Sequence, residues 1–200
     1  MNEITRRGLI FGAATLAGYG VLVGVQRVCL SAFADNPGPE DDPGPVKIVK
    51  FADDGARIGA VTLPRVRKTK SEWKKQLTPL QYDVTRRAAT EFAFSGALYD
   101  QHAPGLYRCI DCDSALFDSK TKFDSGTGWP SFWEPIAKEN VREKKDFSVG
   151  VLRTEIKCTL CDAHLGHIFT DGPEPTGLRY CMNSAALRFI PRQSFAQEKS

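Results

Sequence analysis

The chain has 200 residues, enough for one domain of ordinary size with extensions, and 42% hydrophobic residues are enough for a core. Its net charge is +3, and without residues 1–34 the body holds 24 basic and 23 acidic residues. That balance lacks the electrostatic footprint of a nucleic-acid binder, and no repeat at a period of about 20–50 residues points to a solenoid.

The opening stretch reads as a leader. Thr5-Arg6-Arg7-Gly8 precedes an uncharged run from Gly8 to Val25, and Ala32-Phe33-Ala34 supplies an A-x-A cleavage signal. Paired arginines before a mild apolar run resemble a twin-arginine export signal, although Leu9 stands where phenylalanine is usual. An uncleaved anchor is the alternative, since such a run can just span a bilayer. Cys29 leaves with a cleaved leader, and no small residue precedes it as lipid attachment would need. The expectation is a signal peptide over 1–34 and a periplasmic protein that meets the membrane only during export.

Residues 35–45 hold four prolines, two glycines and four acidic residues, the composition of a flexible linker. Residues 46–70 read as a hairpin-like extension: Val46 to Phe51 is strand-like, Asp53-Asp54-Gly55 is a turn signal, and Arg57 to Val66 is a second extended stretch. Residues 71–94 read as helix, with Trp73, Leu77, Leu80 and Val84 on one face. Thr78-Pro79-Leu80-Gln81 is a capping-box signature, so two short helices should abut there.

Cys109-Ile110-Asp111-Cys112 and Cys158-Thr159-Leu160-Cys161 are two CxxC pairs with 45 residues between them. Two such knuckles complete the four-thiolate tetrahedron that zinc prefers in closed, structural sites. Redox dithiols or disulfides would use the same residues, but a thioredoxin-like pair needs a βαβ context that is absent. Twin-arginine export carries folded cargo, so zinc would be loaded before these thiols met an oxidising compartment.

Between the pairs, Phe123 to Trp133 is dense in glycine and aromatics. Trp129 on such a loop is either a core plug or the wall of a small apolar pocket. After the second pair come His164 and His167. They are either further metal ligands or acid–base groups, and four sulfurs already fill a tetrahedron. Then comes Arg179-Tyr180-Cys181-Met182-Asn183-Ser184. Cys181 is the body cysteine without a CxxC partner, and a lone thiol is either a nucleophile or a small buried hydrophobe. In an extended chain Arg179 and Asn183 share its face, so a guanidinium would favour the thiolate and an amide donor would lie nearby.

Lys122 to Phe132, His164 to Phe169, Asp171-Gly172 and Arg179 to Phe189 follow the signatures of B-type peptide-methionine (R)-S-oxide reductases. The CxxC pairs fall where zinc-binding members have them, and Trp73 to Pro79 and Phe94-Ser95-Gly96 fit the N-terminal helices. The resemblance spans residues 71–192, with 193–200 as a tail. It implies a mainly β (α+β) fold, two antiparallel twisted sheets flanked by short N-terminal helices. One structural zinc on Cys109, Cys112, Cys158 and Cys161 would tie two loops far from the active site. By position it implies that Cys181 is the nucleophile and Trp129 the wall that receives the substrate's methyl group. His164, His167 and Asn183 would bind and protonate the sulfoxide oxygen, with Asp171 and Arg179 supporting them. The implied partners are oxidised proteins or peptides and an external thiol or dithiol reductant.

The residue types suit this chemistry. A sulfoxide sulfur is attacked poorly until its oxygen gains a proton, and a thiolate with an imidazolium supplies both needs. The products are methionine and a sulfenic acid on Cys181. One departure is Thr127, which stands where many members carry a resolving cysteine, so the expectation is direct reduction by an external thiol. A non-enzymatic zinc-ribbon module for protein binding is the alternative. It needs only the four paired cysteines and leaves the other motifs without a purpose.

Overall fold

A computed structural model describes residues 44–148 and 150–192. The leader expected at 1–34, most of the 35–45 linker and the tail at 193–200 lie outside the described residues.

β1 (Val46–Phe51) and β2 (Arg57–Leu63) form an antiparallel hairpin. The Asp54 carboxylate accepts from the Ala56 amide at 2.8 Å inside the turn. β2 stops at Leu63, short of the extended stretch expected to Val66, because Pro64 has no N–H to continue a ladder. Buried Asn140 holds the hairpin to the body. Its Oδ1 accepts from Val49 N at 2.7 Å, and its Nδ2 donates to Val49 O and Ala115 O at 2.8 and 2.7 Å.

α1 (Lys70–Gln76) and α2 (Pro79–Arg87) each begin with a complete capping box, Thr69 with Glu72 and Thr78 with Gln81. The helical stretch expected to reach residue 94 ends at Arg87, where Ala88 turns left-handed at φ 55°. No glycine or proline marks that end. Tertiary contacts of the next segment override local propensity there. Trp73, Leu77 and Val84 are buried, whereas Leu80 is exposed, since the break at Thr78 interrupts the shared face.

The body has one six-stranded and one three-stranded antiparallel sheet. The small sheet has the order β11 (Leu187–Pro191), β3 (Gly105–Cys109), β4 (Ala115–Asp118). The large sheet has the order β5 (Lys122–Phe123), β6 (Ser131–Phe132), β10 (Arg179–Met182), β9 (His164–Phe169), β8 (Arg153–Cys158), β7 (Val141–Asp146). Aromatic rings join them: Phe132 of the large sheet stacks on Phe117 at 4.4 Å and meets Tyr107 edge-on at 4.9 Å. The mainly β architecture with two short helices is the one expected.

Candidate active site

Cys109 ends β3 and Cys158 ends β8, so the knuckles leave different sheets. They share one local geometry. Asp113 and Asp162 turn left-handed just past each second cysteine, and their amides donate to Cys109 O and Cys158 O, both at 2.9 Å. All four sulfurs lie within 4.8 Å of one another, with Cys109–Cys161 at 3.6 Å and Cys112–Cys158 at 3.5 Å. A tetrahedral ion with metal–sulfur bonds of about 2.3 Å has edges of about 3.8 Å, so this set fits a metal ion. The imidazoles of His164 and His167 are not in the group.

β10 runs between β6 and β9, with Cys181 opposite Ser131 on one side and His167 on the other. Strand pairing therefore brings together a thiol, a hydroxyl and an imidazole. A side chain at position 166 would destroy this pairing, because a Cβ on Gly166 would stand 2.1 Å from Cys181 O. His164 and His167 are three apart and would face opposite sides of a regular strand. The pairing irregularity at Ile156/Lys157 breaks that alternation, and their rings meet at 5.4 Å.

Each imidazole faces a carboxylate. His167 Nε2 lies 2.9 Å from Asp146 Oδ2, and buried His164 Nδ1 lies 2.7 Å from Glu155 Oε1. Bonds from Ser148, His167 and Arg153 hold the Asp146 carboxyl well below its usual range. Burial pushes His164 down, with Glu155 opposing it.

Cys181 opens into a cavity of about 140 Å³, whose lining includes Trp129, His167, Phe169, Asn183, Arg153 and Thr90. That is below the roughly 300–1,000 Å³ of small-ligand pockets and suits a single side chain. Trp129 is half-buried and forms a wall of this cavity. His164 is not in the lining. Asp171 and Arg179 face a neighbouring depression with Ser125 and Thr127. Arg179 is held by two bonds to Asp171 at 2.9 and 2.8 Å and stacks over Phe169 at 4.4 Å.

The arginine pulls the Cys181 thiol downward as the sequence suggests, but burial outweighs it and the thiol lies above its ordinary value. The Asn183 amide is also less free than expected. Its Oδ1 accepts from Glu91 N at 3.1 Å and its Nδ2 donates to Leu165 O at 3.1 Å.

No local motif marks Glu91, yet the fold gives it several roles. Its backbone carbonyl accepts from the Trp129 indole at 3.2 Å and its amide donates to Asn183. Its buried carboxylate accepts from Ser184 N at 2.5 Å and Ala185 N at 2.9 Å. One residue thus fixes the cavity wall and the segment that follows Cys181. Glu91→Ala would leave two amides without an acceptor and is expected to cost about 2–4 kcal/mol, read as a lower urea midpoint, with a fall in turnover.

The SelR domain family matches residues 77–191. The chain belongs to the SelR family, the B-type methionine sulfoxide reductases. It is 56% identical over 125 residues to the peptide methionine sulfoxide reductase MsrB of Herminiimonas arsenicoxydans, covering 62% of this chain and 91% of that protein. The MsrB of Pseudomonas fluorescens strain Pf0-1 is 53% identical over 131 residues, 66% of this chain and 100% of the relative. That of Hahella chejuensis is 54% identical over 137 residues, 68% and 99%. The matched SelR segment contains all four cysteines of the metal-fitting group together with Trp129, His164, His167, Asp171, Arg179, Cys181 and Asn183.

Proposed function

We propose that this protein is a thiol-dependent reductase of methionine (R)-sulfoxide in proteins and peptides. The observation that carries the reading is the Cys181 sulfur opening into a cavity of side-chain size between an indole and an imidazole. Membership of the SelR family supports it. The substrate's methyl group rests against Trp129, with its oxygen toward His167. Asp146 takes Nε2, so the imidazolium delivers its proton from the Nδ1 side. The Cys181 thiolate attacks the sulfoxide sulfur, and oxygen passes from substrate to cysteine. The sulfoxide gains two electrons, the cysteine sulfur loses two, and methionine leaves with Cys181 as the sulfenic acid.

An external thiol then forms a mixed disulfide with Cys181, releasing water, and a second thiol frees the cysteine. Thr127 supports this route, since the other cysteines among the described residues belong to the metal-fitting group. That group would hold zinc, whose four positions would all be filled by sulfur. The metal would then serve as a cross-link between loops. We also propose export by the N-terminal leader.

Incubation of a racemic chromophoric methionine sulfoxide with dithiothreitol is expected to consume the R epimer and leave the S epimer. Consumption of neither epimer, or of the S epimer alone, overturns the reading. After one turnover with a sulfenic-acid trap, mass spectrometry is expected to find the adduct on Cys181. An intramolecular disulfide there would sink the direct route.

A further inference from the structure

We infer that Thr127, Ser125 and Ser131 form a reversible hydroxyl chain that donates a hydrogen bond to the Cys181 sulfur when it is ionised and accepts one from the thiol. The inference rests on Cys181 being the nucleophile.

Thr127 Oγ1 lies 4.0 Å from Cys181 Sγ, at the long end of sulfur hydrogen bonding. Thr127 Oγ1 also lies 2.8 Å from Ser125 Oγ, which is 2.7 Å from the buried Ser131 Oγ. Ser131 Oγ is 3.2 Å from the backbone carbonyl of Trp129. A hydroxyl carries one proton and can both donate and accept, so the row has two consistent orders. With Cys181 as a thiol, S–H donates to Thr127, Thr127 to Ser125, Ser125 to Ser131, and Ser131 to the Trp129 carbonyl. With Cys181 ionised, the row turns around: Ser125 donates to Thr127 and Thr127 to sulfur, while Ser131, which also contacts the sulfur from the paired strand, turns from the Trp129 carbonyl to Ser125 or to the sulfur itself. No heavy atom needs to move far, and the Thr127 contact shortens because a charged acceptor draws its donor closer.

Burial disfavours the thiolate; the Arg179 guanidinium, two of whose nitrogens are held by Asp171, opposes burial most strongly, and the Thr127 and Ser131 hydroxyls beside the sulfur act in the same direction. The remaining charged and titratable groups around the sulfur are His167 on the neighbouring strand β9, which faces Asp146, and Arg153 on the cavity lining, also bonded to Asp146. Thr127 and Ser125 line the depression that Asp171 and Arg179 share, so the row also runs from the half-buried Cys181 to a second solvent-facing surface.

The test is the pH profile of Cys181 alkylation by iodoacetamide in the metal-loaded full chain, followed by mass spectrometry of the Cys181 peptide. Thr127→Val keeps the shape and removes the hydroxyl. Its midpoint should rise by about one pH unit, the scale of one lost hydrogen bond to a charged group. Rate at a fixed pH below the midpoint then falls about tenfold. Thr127→Ser should restore the wild-type profile, and Ser125→Ala should shift it part of the way. A purely structural role for Thr127 would not be rescued by serine in this readout. A Thr127→Val midpoint equal to that of the wild type overturns the inference, and so does an unshifted Ser125→Ala if the valine variant does not fold. Absence of sulfoxide turnover in the wild type would instead overturn the functional reading, because alkylation needs no substrate.

Discussion

Cys181→Ser is expected to lower turnover by at least about 10³-fold while leaving the fold intact. A serine hydroxyl does not ionise near neutral pH, so the variant keeps the cavity and the imidazole but lacks a nucleophile. A loss of that size corresponds to about 4 kcal/mol or more of transition-state stabilisation. Cys181 is only half-buried, and an oxygen for sulfur exchange there should change the urea midpoint by less than about 0.5 kcal/mol equivalent. Substrate binding should persist, because Trp129 and His167 still line the cavity. The measurement is thiol-dependent loss of a chromophoric methionine sulfoxide, with a binding titration beside it. Turnover within tenfold of the wild type would remove Cys181 from the chemistry.

Stripping the metal from the four cysteines is expected to unfold the protein. Cys109, Cys158 and Cys161 are buried, and the knuckles leave different sheets. An ion there would join the two sheets at one end. Structural zinc is worth about 10–16 kcal/mol in small zinc-binding peptides, whereas a whole domain is stable by only about 5–15 kcal/mol. Chelation in reductant should therefore abolish the cooperative thermal transition and release one equivalent of metal. Activity should decay at the rate at which the circular dichroism signal decays. Immediate loss of turnover with the spectrum unchanged would place the ion in the chemistry instead. Cys158→Ser should give the same unfolded product without chelator.

What the sequence made legible is what lies close together along the chain. The capping box of Thr78 and Gln81, the DDG turn and the two CxxC knuckles each need only a few consecutive residues, and each takes the geometry its residues dictate. The end of α2 was not legible, because Ala88 carries no stop signal and the chain turns there to deliver Glu91 to Asn183, 92 positions away. For the same reason nothing marked Glu91. The carboxylates that face His164 and His167 were hidden too. They sit on β7 and β8, and only the pairing of those strands brings them to the imidazoles. The ionisation of Cys181 was half legible. A neighbouring arginine can be read from spacing, but the burial that outweighs it belongs to the folded body.

Glu91 has a bearing on how such a catalyst can be redesigned. The indole and the Asn183 amide are both fastened to that one residue, while Arg153 and His167 are both fastened to Asp146. Altering the recess through any of these four would disturb a companion, so paired substitutions there should give effects that do not add. Thr90 is the polar lining side chain for which no such tether is seen among the described residues. Tailoring the protein to bulkier or more polar sulfoxides should begin at that position.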